Sequence, residues 1–337
     1  MAVMTLREAI NLTLHEEMAR DPNIVILGED IVGGYGTEGG PEAIGGIWGL
    51  TGGLHARFGP NRVIDTPISE SCIVGAAAGA ALAGKRAIAE LMFADFVGVC
   101  LDQLYNQIAK FRYMFGGKSK CPVTVRLTYG AGMNAAAQHS QAVYSMLTAI
   151  PGLKVVLPTT PADAKGLLTS AIRGDDPVMF FEHKVLYTVK GEVPEGEYLV
   201  PFGHARITRE GSDATIVTCG QLVRSAEKAA DKLAKEDGIA CDVIDLRTTS
   251  PLDEETILDS VEQTGRLVVA DESPPRCSLA ADIAGLVAGK AFAALKAPIE
   301  QVTAPHTPIP FARELEKAYL PGPAQIEAAV RRTLAWR

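Results

Sequence analysis

The chain has 337 residues, 47% of them hydrophobic and 21% charged, a composition that suits a globular protein with two cores. Its net charge is −8 and it has no Lys/Arg run or basic patch, which argues against nucleic acid as a partner. The six cysteines (Cys72, Cys100, Cys121, Cys219, Cys241 and Cys277) form no CxxC pair, so they are read as reduced core thiols rather than zinc ligands or disulfides. The start lacks a basic region followed by an apolar one, and no apolar run reaches the ~20 residues of a membrane span. No membrane contact and a cytoplasmic location are therefore expected.

In chain order, a helix is predicted over 5–20, with Thr5 as its cap and Glu8 completing a capping box. Leu6, Ile10, Leu14 and Met18 fall on one face. His15-Glu16 begins a zinc pattern, but Ala19 stands where the second histidine belongs, so His15 is read as a surface residue. A buried strand over 23–27 precedes ten glycines from Gly33 to Gly53. Gly34, Gly36 and Gly39 spell GxGxxG, but Pro41 and Gly45-Gly46 interrupt the helix such a motif must open, so no dinucleotide site is read there. The loop is expected to shape a pocket or a subunit contact, because glycine permits close backbone approach.

Residues 62–66 read as a strand, 71–84 as a helix of small apolar residues and 86–91 as a second strand. Glu70 stands at the strand-to-helix junction. Two readings of it are open. Ser69, Glu70 and Ser71 cap the helix, or Glu70 faces a ligand where parallel strands end. One long helix is predicted over 95–114, stopping at Gly116-Gly117. Gly117-Lys118-Ser119 resembles the end of a phosphate loop, but Arg112 occupies the place of its first glycine. A strand over 122–127 leads into a loop with Gly130 and Gly132, which delivers Gln138, His139 and Ser140 to a helix start. A strand over 154–157, a helix over 161–173 and a strand over 178–182 follow. This alternation predicts a parallel sheet covered on both faces. Gly, Glu and Pro then dominate a linker over 188–203. Beyond it, strands over 214–218, 241–245, 267–270 and 299–302 alternate with helices over 222–236, 280–294 and 324–335. The expected fold class is α/β, with two three-layer α/β domains at 1–187 and 204–337.

DTPISE (65–70), AELMFADF (89–96), AAQHSQ (136–141) and PGLKVV (151–156), in this order, resemble the β subunits of thiamine-diphosphate-dependent 2-oxoacid dehydrogenases. The resemblance covers nearly the whole chain. Within that family, residues 98–118 are most similar to the acetoin dehydrogenase branch. The resemblance implies a transketolase-like pyrimidine-binding domain followed by a transketolase C-terminal-like domain. It implies that Glu70 hydrogen-bonds N1′ of the cofactor's aminopyrimidine, favouring the imino tautomer whose 4′-nitrogen takes the proton from thiazolium C2. Phe96 would stack on that ring, and Ile68 and Met92 would line the same pocket. Phe93 is expected in the core, the usual place for a phenylalanine beside a strand. His139 would serve hydrogen bonding and proton transfer to the substrate-derived group or to lipoyl, a role its ordinary pKa of ~6.5 suits. Glu29, after the first strand, is a further cofactor-binding candidate, and His183 is read as structural.

Members of such enzyme classes hold magnesium and the diphosphate with a Gly-Asp-Gly motif. The nearest fragment is Gly174-Asp175-Asp176-Pro177, which does not fit. No magnesium site is therefore expected in this chain. The resemblance implies an α subunit that holds magnesium, an α2β2 assembly with thiamine diphosphate across the interface, and docking on a lipoyl-bearing acyltransferase core. Val99 stands where some relatives carry an acid that relays protons between paired sites, which puts such a relay in doubt. Some relatives hold a monovalent cation through carbonyls near positions matching Thr124 and Asp176. The expected activity is cleavage of acetoin with transfer of the acetyl unit to lipoyl. Alternatives are a pyruvate or branched-chain 2-oxoacid dehydrogenase β subunit and a non-catalytic assembly subunit of the same fold. The missing magnesium motif counts against a self-contained transketolase-like enzyme.

Overall fold

The computed structural model describes residues 1–33 and 44–336, so Gly34, Gly36, Gly39 and Pro41 of the glycine-rich pattern lie outside the described residues. The chain divides into two units: Met1–Tyr129 with Leu147–Phe202, and Gly130–Met146 with Gly203–Arg337.

Strands of the first unit are β1 (Ala2–Thr5), β2 (Ile24–Glu29), β3 (Val63–Thr66), β4 (Arg86–Leu91), β5 (Val123–Tyr129), β6 (Lys154–Val156), β7 (Val178–His183) and β8 (Lys190–Val193). Helices in the same stretch of chain are α1 (Leu6–Arg20), α2 (Leu54–Phe58), α3 (Glu70–Leu82), α4 (Phe111–Met114), α5 (Tyr144–Thr148) and α6 (Pro161–Arg173). The main sheet runs β6-β7-β5-β4-β2-β3, with every pair parallel. β5 and β7 are buried at every position, because helices cover both faces.

The start of α1 follows its local signals. Thr5 Oγ1 accepts the Glu8 N–H at 3.2 Å, and Glu8 Oε2 accepts the Thr5 N–H at 2.7 Å. Leu6, Ile10, Leu14 and Met18 are fully buried and share a core with Ala164, Leu167, Leu168 and Ala171 of α6. Thr160 caps α6, and Pro161 opens it at no hydrogen-bond cost.

Two expectations change here. Residues 188–203, read as a linker, are largely built into the first unit. β8 pairs antiparallel with β1, and Val200 packs where Gly166 of α6 leaves room, since a Cβ at Gly166 would lie 2.5 Å from Val200 Cγ2. The helix predicted over 95–114 is broken into a 3₁₀ turn (Ala94–Gly98), a π-helical stretch (Gln103–Ile108) and α4. In the second piece the Ala109 N–H reaches back to Leu104 O at 3.3 Å, a wider ring than an α-turn.

The second unit contains β9 (Arg206–Arg209), β10 (Ala214–Thr218), β11 (Cys241–Asp245), β12 (Thr248–Ser250), β13 (Leu267–Asp271) and β14 (Glu300–Thr303). Its helices are α7 (Gln221–Asp237), α8 (Glu254–Thr264), α9 (Leu279–Lys290), α10 (Arg313–Tyr319) and α11 (Pro323–Ala335). The sheet order is β14-β13-β10-β11-β9, parallel except for β9. Leu222, Ala226, Ala230 and Leu233 of α7 join Ile326, Ala329 and Val330 of α11 over this sheet.

Four cysteines are buried, and Cys72 and Cys277 are exposed, so two of the six are not core thiols. Burial pushes the thiols of Cys100, Cys121 and Cys241 up to about 12. No helix among the described residues is long and apolar enough to cross a membrane.

Candidate active site

Three parallel strands of the first unit end side by side. Glu29 of β2 pairs with Thr66 of β3, and Gly28 pairs with Glu90 of β4. Carboxyl ends of parallel strands are where open α/β sheets bind ligands. α3 begins just beyond β3, and Glu70 is its first residue. Ser69, at the cap position, makes no side-chain bond to the helix, so the simple capping reading lacks its contact. Glu70 is 9% exposed, and no hydrogen bond or ion pair reaches its carboxylate among the described residues. Behind it, Ile73, Val74, Ala77, Ala78 and Ala81 of the same helix are buried.

Glu29 is the neighbour of Glu70. Burial, then the Asp30 and Glu70 carboxylates, hold the Glu29 carboxyl above the usual carboxylate range. Two further polar atoms, Thr66 Oγ1 and Trp48 Nε1, are buried without a partner among the described residues. Each such group costs ~1–3 kcal/mol if nothing satisfies it, so the cluster is poorly explained by folding alone.

The aromatic residues form a chain. Phe93 meets Phe96 edge to face at 5.8 Å and 84°, and Trp48 at 6.3 Å and 79°. Trp48 continues to Tyr187 at 5.5 Å. Phe93 is half-buried, with Lys184 Nζ 5.7 Å from its ring, so it is not the core residue expected. Phe96 and Met92 are also half-buried. Ser71 Oγ donates to Val99 O at 2.7 Å, tying the first turn of α3 to the turn that carries Phe96. Ile68 stands 77% exposed.

Sequence reasoning missed a buried ionic network. Arg126 of β5 is 1% exposed and lies between Glu90 of β4 and Glu182 of β7. It donates to Glu90 Oε2 at 2.7 Å and to both Glu182 oxygens at 2.7 and 2.9 Å. The Tyr187 hydroxyl donates to Glu182 at 2.7 Å and meets Thr128 Oγ1 at 2.8 Å. Burial lowers the affinity of Arg126 for its proton, but Glu182 and Glu90 more than reverse this. Burial pushes the Glu90 carboxyl up, against the pull of Arg126. The available signal was a charged residue among the apolar positions of each of three adjacent strands: Glu90, Arg126 and Glu182.

The Gly174-Asp175-Asp176-Pro177 fragment is occupied by cations of the chain itself. Asp175 pairs with Arg86 and Lys120, each at 2.8 Å, and Asp176 pairs with Arg112 and, at 3.2 Å, Lys154. Thr124 is buried at 2% exposure. Among the described residues no group of three or more His, Cys, Asp and Glu side chains is placed to hold a metal.

His139 belongs to the second unit, with the rest of 130–146. The helix start expected at 138–140 is absent; the chain stays irregular until α5 begins at Tyr144. His139 is half-buried. Next to it in the chain, Ser140, Gln141 and Val143 help line a cavity of about 530 Å³, together with Glu272, His306 and Tyr319.

In the first unit, then, an unpartnered carboxylate, a raised carboxyl beside it, an orphaned hydroxyl and half-buried aromatic faces gather at strand ends. That chemistry suits a planar nitrogen heterocycle, which offers a ring nitrogen to a carboxyl and a flat face to an aromatic ring.

Comparison with known proteins agrees in kind. The family "Transketolase, pyrimidine binding domain" matches residues 2–190, and "Transketolase, C-terminal domain" matches residues 203–326. The acetoin:2,6-dichlorophenolindophenol oxidoreductase subunit beta of Cupriavidus necator is 58% identical over 331 residues, covering 98% of this chain and 97% of that one. The subunit of the same name from Bacillus subtilis is 54% identical, covering 96% and 95%. The 2-oxoisovalerate dehydrogenase subunit beta of Bacillus subtilis is 43% identical, covering 98% of each chain. Among solved structures, a split-gene transketolase described as an inactive β4 tetramer superposes with a TM-score of 0.79 at 25% identity, covering 99% of each chain.

Proposed function

Since the chain belongs to the β subunits of acetoin and 2-oxoacid dehydrogenases, built from transketolase pyrimidine-binding and C-terminal domains, we propose that it supplies the aminopyrimidine half of a thiamine diphosphate site in an enzyme that cleaves acetoin and passes the acetyl unit to lipoyl. The observation that carries this reading is Glu70, a carboxylate held at the strand ends with no partner among the described residues.

When bound, thiamine diphosphate supplies a carbon nucleophile at C2 of its thiazolium ring. Glu70 would hold a proton at the aminopyrimidine N1′, the contact that tunes the cofactor. Glu29 assists by proximity, because two neighbouring carboxyls favour a form in which one is neutral. Phe96 would offer its face to the ring, worth ~1 kcal/mol beyond area burial. Met92 would pack beside it. Ile68 is exposed in this chain, which fits a pocket whose other wall comes from a second subunit. His139 would transfer a proton to the substrate-derived group or to lipoyl.

Asp175 and Asp176 are engaged by four cations of the chain, so neither is available to magnesium. Magnesium and the diphosphate are therefore assigned to an α subunit, in an α2β2 assembly that docks on a lipoyl-bearing acyltransferase core in the cytoplasm. In sequence the pyrimidine-binding domain would span 1–187 and the C-terminal domain 204–337, although 130–146 packs with the second unit and 188–202 with the first.

A pyruvate or branched-chain 2-oxoacid dehydrogenase is the second reading, favoured by the 2-oxoisovalerate dehydrogenase relative. The assembled enzyme should reduce 2,6-dichlorophenolindophenol with acetoin at a kcat/KM about 100-fold above pyruvate or 2-oxoisovalerate, a ratio that differential transition-state binding can supply. The reverse ranking would move the chain to the 2-oxoacid branch.

A further inference from the structure

The segment that carries His139 follows an uncommon course. Asn134 and Ala136 both lie in the left-handed region, with φ of 55° and 60°. For residues with a Cβ this region is disfavoured, and such a conformation persists where surrounding groups impose it.

Carboxylates of the second unit hold residues 131–134 of this segment. Glu316, on α10, is 3% exposed. Its oxygens accept the Gly132 N–H at 2.9 Å, the Asn134 N–H at 2.9 Å and Asn134 Nδ2 at 3.0 Å. Glu272, just after β13, accepts the Ala131 N–H at 2.7 Å. Successive N–H groups turned toward one side in this way form a nest that binds an anion, here a carboxylate of the chain itself. No cation pairs with Glu316 among the described residues, so its hydrogen bonds to the 132–134 turn are what offset its burial. The far end of the segment is fixed as well. Tyr144 donates its hydroxyl to Asp271, Ser273 Oγ donates to Ala142 O at 3.1 Å, and the Leu279 N–H reaches Ser145 Oγ at 3.1 Å. His139 sits between these two anchors.

We propose that Glu316, seconded by Glu272, is a positioning residue for His139: it fixes the left-handed turn before the histidine and thereby sets where the imidazole is presented. The inference rests on the assignment of His139 to proton transfer. A merely structural Glu316 would affect stability alone. A positioning residue affects kcat through His139.

The test is a double-mutant cycle in the assembled α-containing enzyme, with kcat, KM and Tm measured for Glu316→Ala, His139→Ala and the double variant. His139→Ala should lower kcat about 100-fold or more. Glu316→Ala should lower kcat by about 10- to 100-fold with KM little changed, the scale expected when a reacting group is displaced by about 1 Å. The double variant should be no slower than His139→Ala, because there is no imidazole left to misplace. Glu316→Gln keeps one acceptor oxygen and should recover part of the loss; it carries the cycle if the alanine variant does not assemble. Multiplied losses in the double variant, or a lower Tm with unchanged kcat, would overturn the proposal. Full activity of His139→Ala would instead remove the assignment of His139 itself.

Discussion

Glu70→Gln in the assembled enzyme is expected to lower turnover by about 1,000-fold or more while leaving the fold and the assembly intact. The loss follows from the proposed role, since an amide cannot share a proton with the aminopyrimidine N1′, and positioned acid-base groups contribute about 10²–10⁴-fold. The stability side follows from the geometry. Glu70 receives no hydrogen bond and no ion pair from the described residues, so an isosteric amide breaks no contact there. Removing its charge also relieves the repulsion it exerts on Glu29. An unchanged melting temperature within about 0.5 kcal/mol of equivalent stability is therefore predicted. Thermal melts and steady-state kinetics on the same preparation check both halves. Full turnover would remove Glu70 from the cofactor's chemistry, and a collapse of stability would make it a structural carboxylate.

Arg126→Met should have the largest effect on stability. The guanidinium is 1% exposed and bridges Glu90 and Glu182, and methionine fills similar volume without charge. The two carboxyls would then face each other across the sheet with no cation between them. Removing one partner of a buried ion pair costs ~3–5 kcal/mol, a large share of the ~5–15 kcal/mol by which a folded domain is stable. Denaturant titration should show that loss, or no soluble protein should accumulate. Adding Glu90→Gln and Glu182→Gln should recover much of it, because the cost lies in stranded charge rather than in lost packing. A loss below ~1 kcal/mol is the value for an exposed pair and would contradict this burial.

What could be read in advance was what local chemistry determines. Thr5 and Glu8 announce α1, and Thr160 with Pro161 announces α6. β10 and β11 match their apolar runs at both ends. β1 and β8 escaped notice because each is a short strand whose only warrant is a partner far along the chain, Ala2 pairing with Val193. α10 follows a proline-containing stretch and is only seven residues long, too short for periodicity to register. The segment 130–146 joins the second unit through Glu272 and Glu316, and a contact spanning 182 residues leaves no local trace.

The site divides in the same way. The places of Glu70 and Phe96 in the fold follow from their motifs, which set them just after strands: Glu70 opens α3, Phe96 lies in the 3₁₀ turn after β4, and the Ser71 to Val99 bond ties the two segments. The exposure of Ile68 and the half-burial of Phe93 were not legible, because both depend on what the rest of the chain covers. Arg126 reads as an ordinary strand residue until the register of β4, β5 and β7 sets it between two glutamates.

The claim that this chain supplies one half of a shared cofactor site is tested most directly by calorimetric titration of thiamine diphosphate with magnesium, into the chain alone and into the chain assembled with its α subunit. The account predicts saturable binding to the assembly and none to the lone chain, because Asp175 and Asp176 are already engaged by Arg86, Lys120, Arg112 and Lys154. Tight binding to the lone chain would contradict it, since this chain would then hold magnesium and the diphosphate by itself.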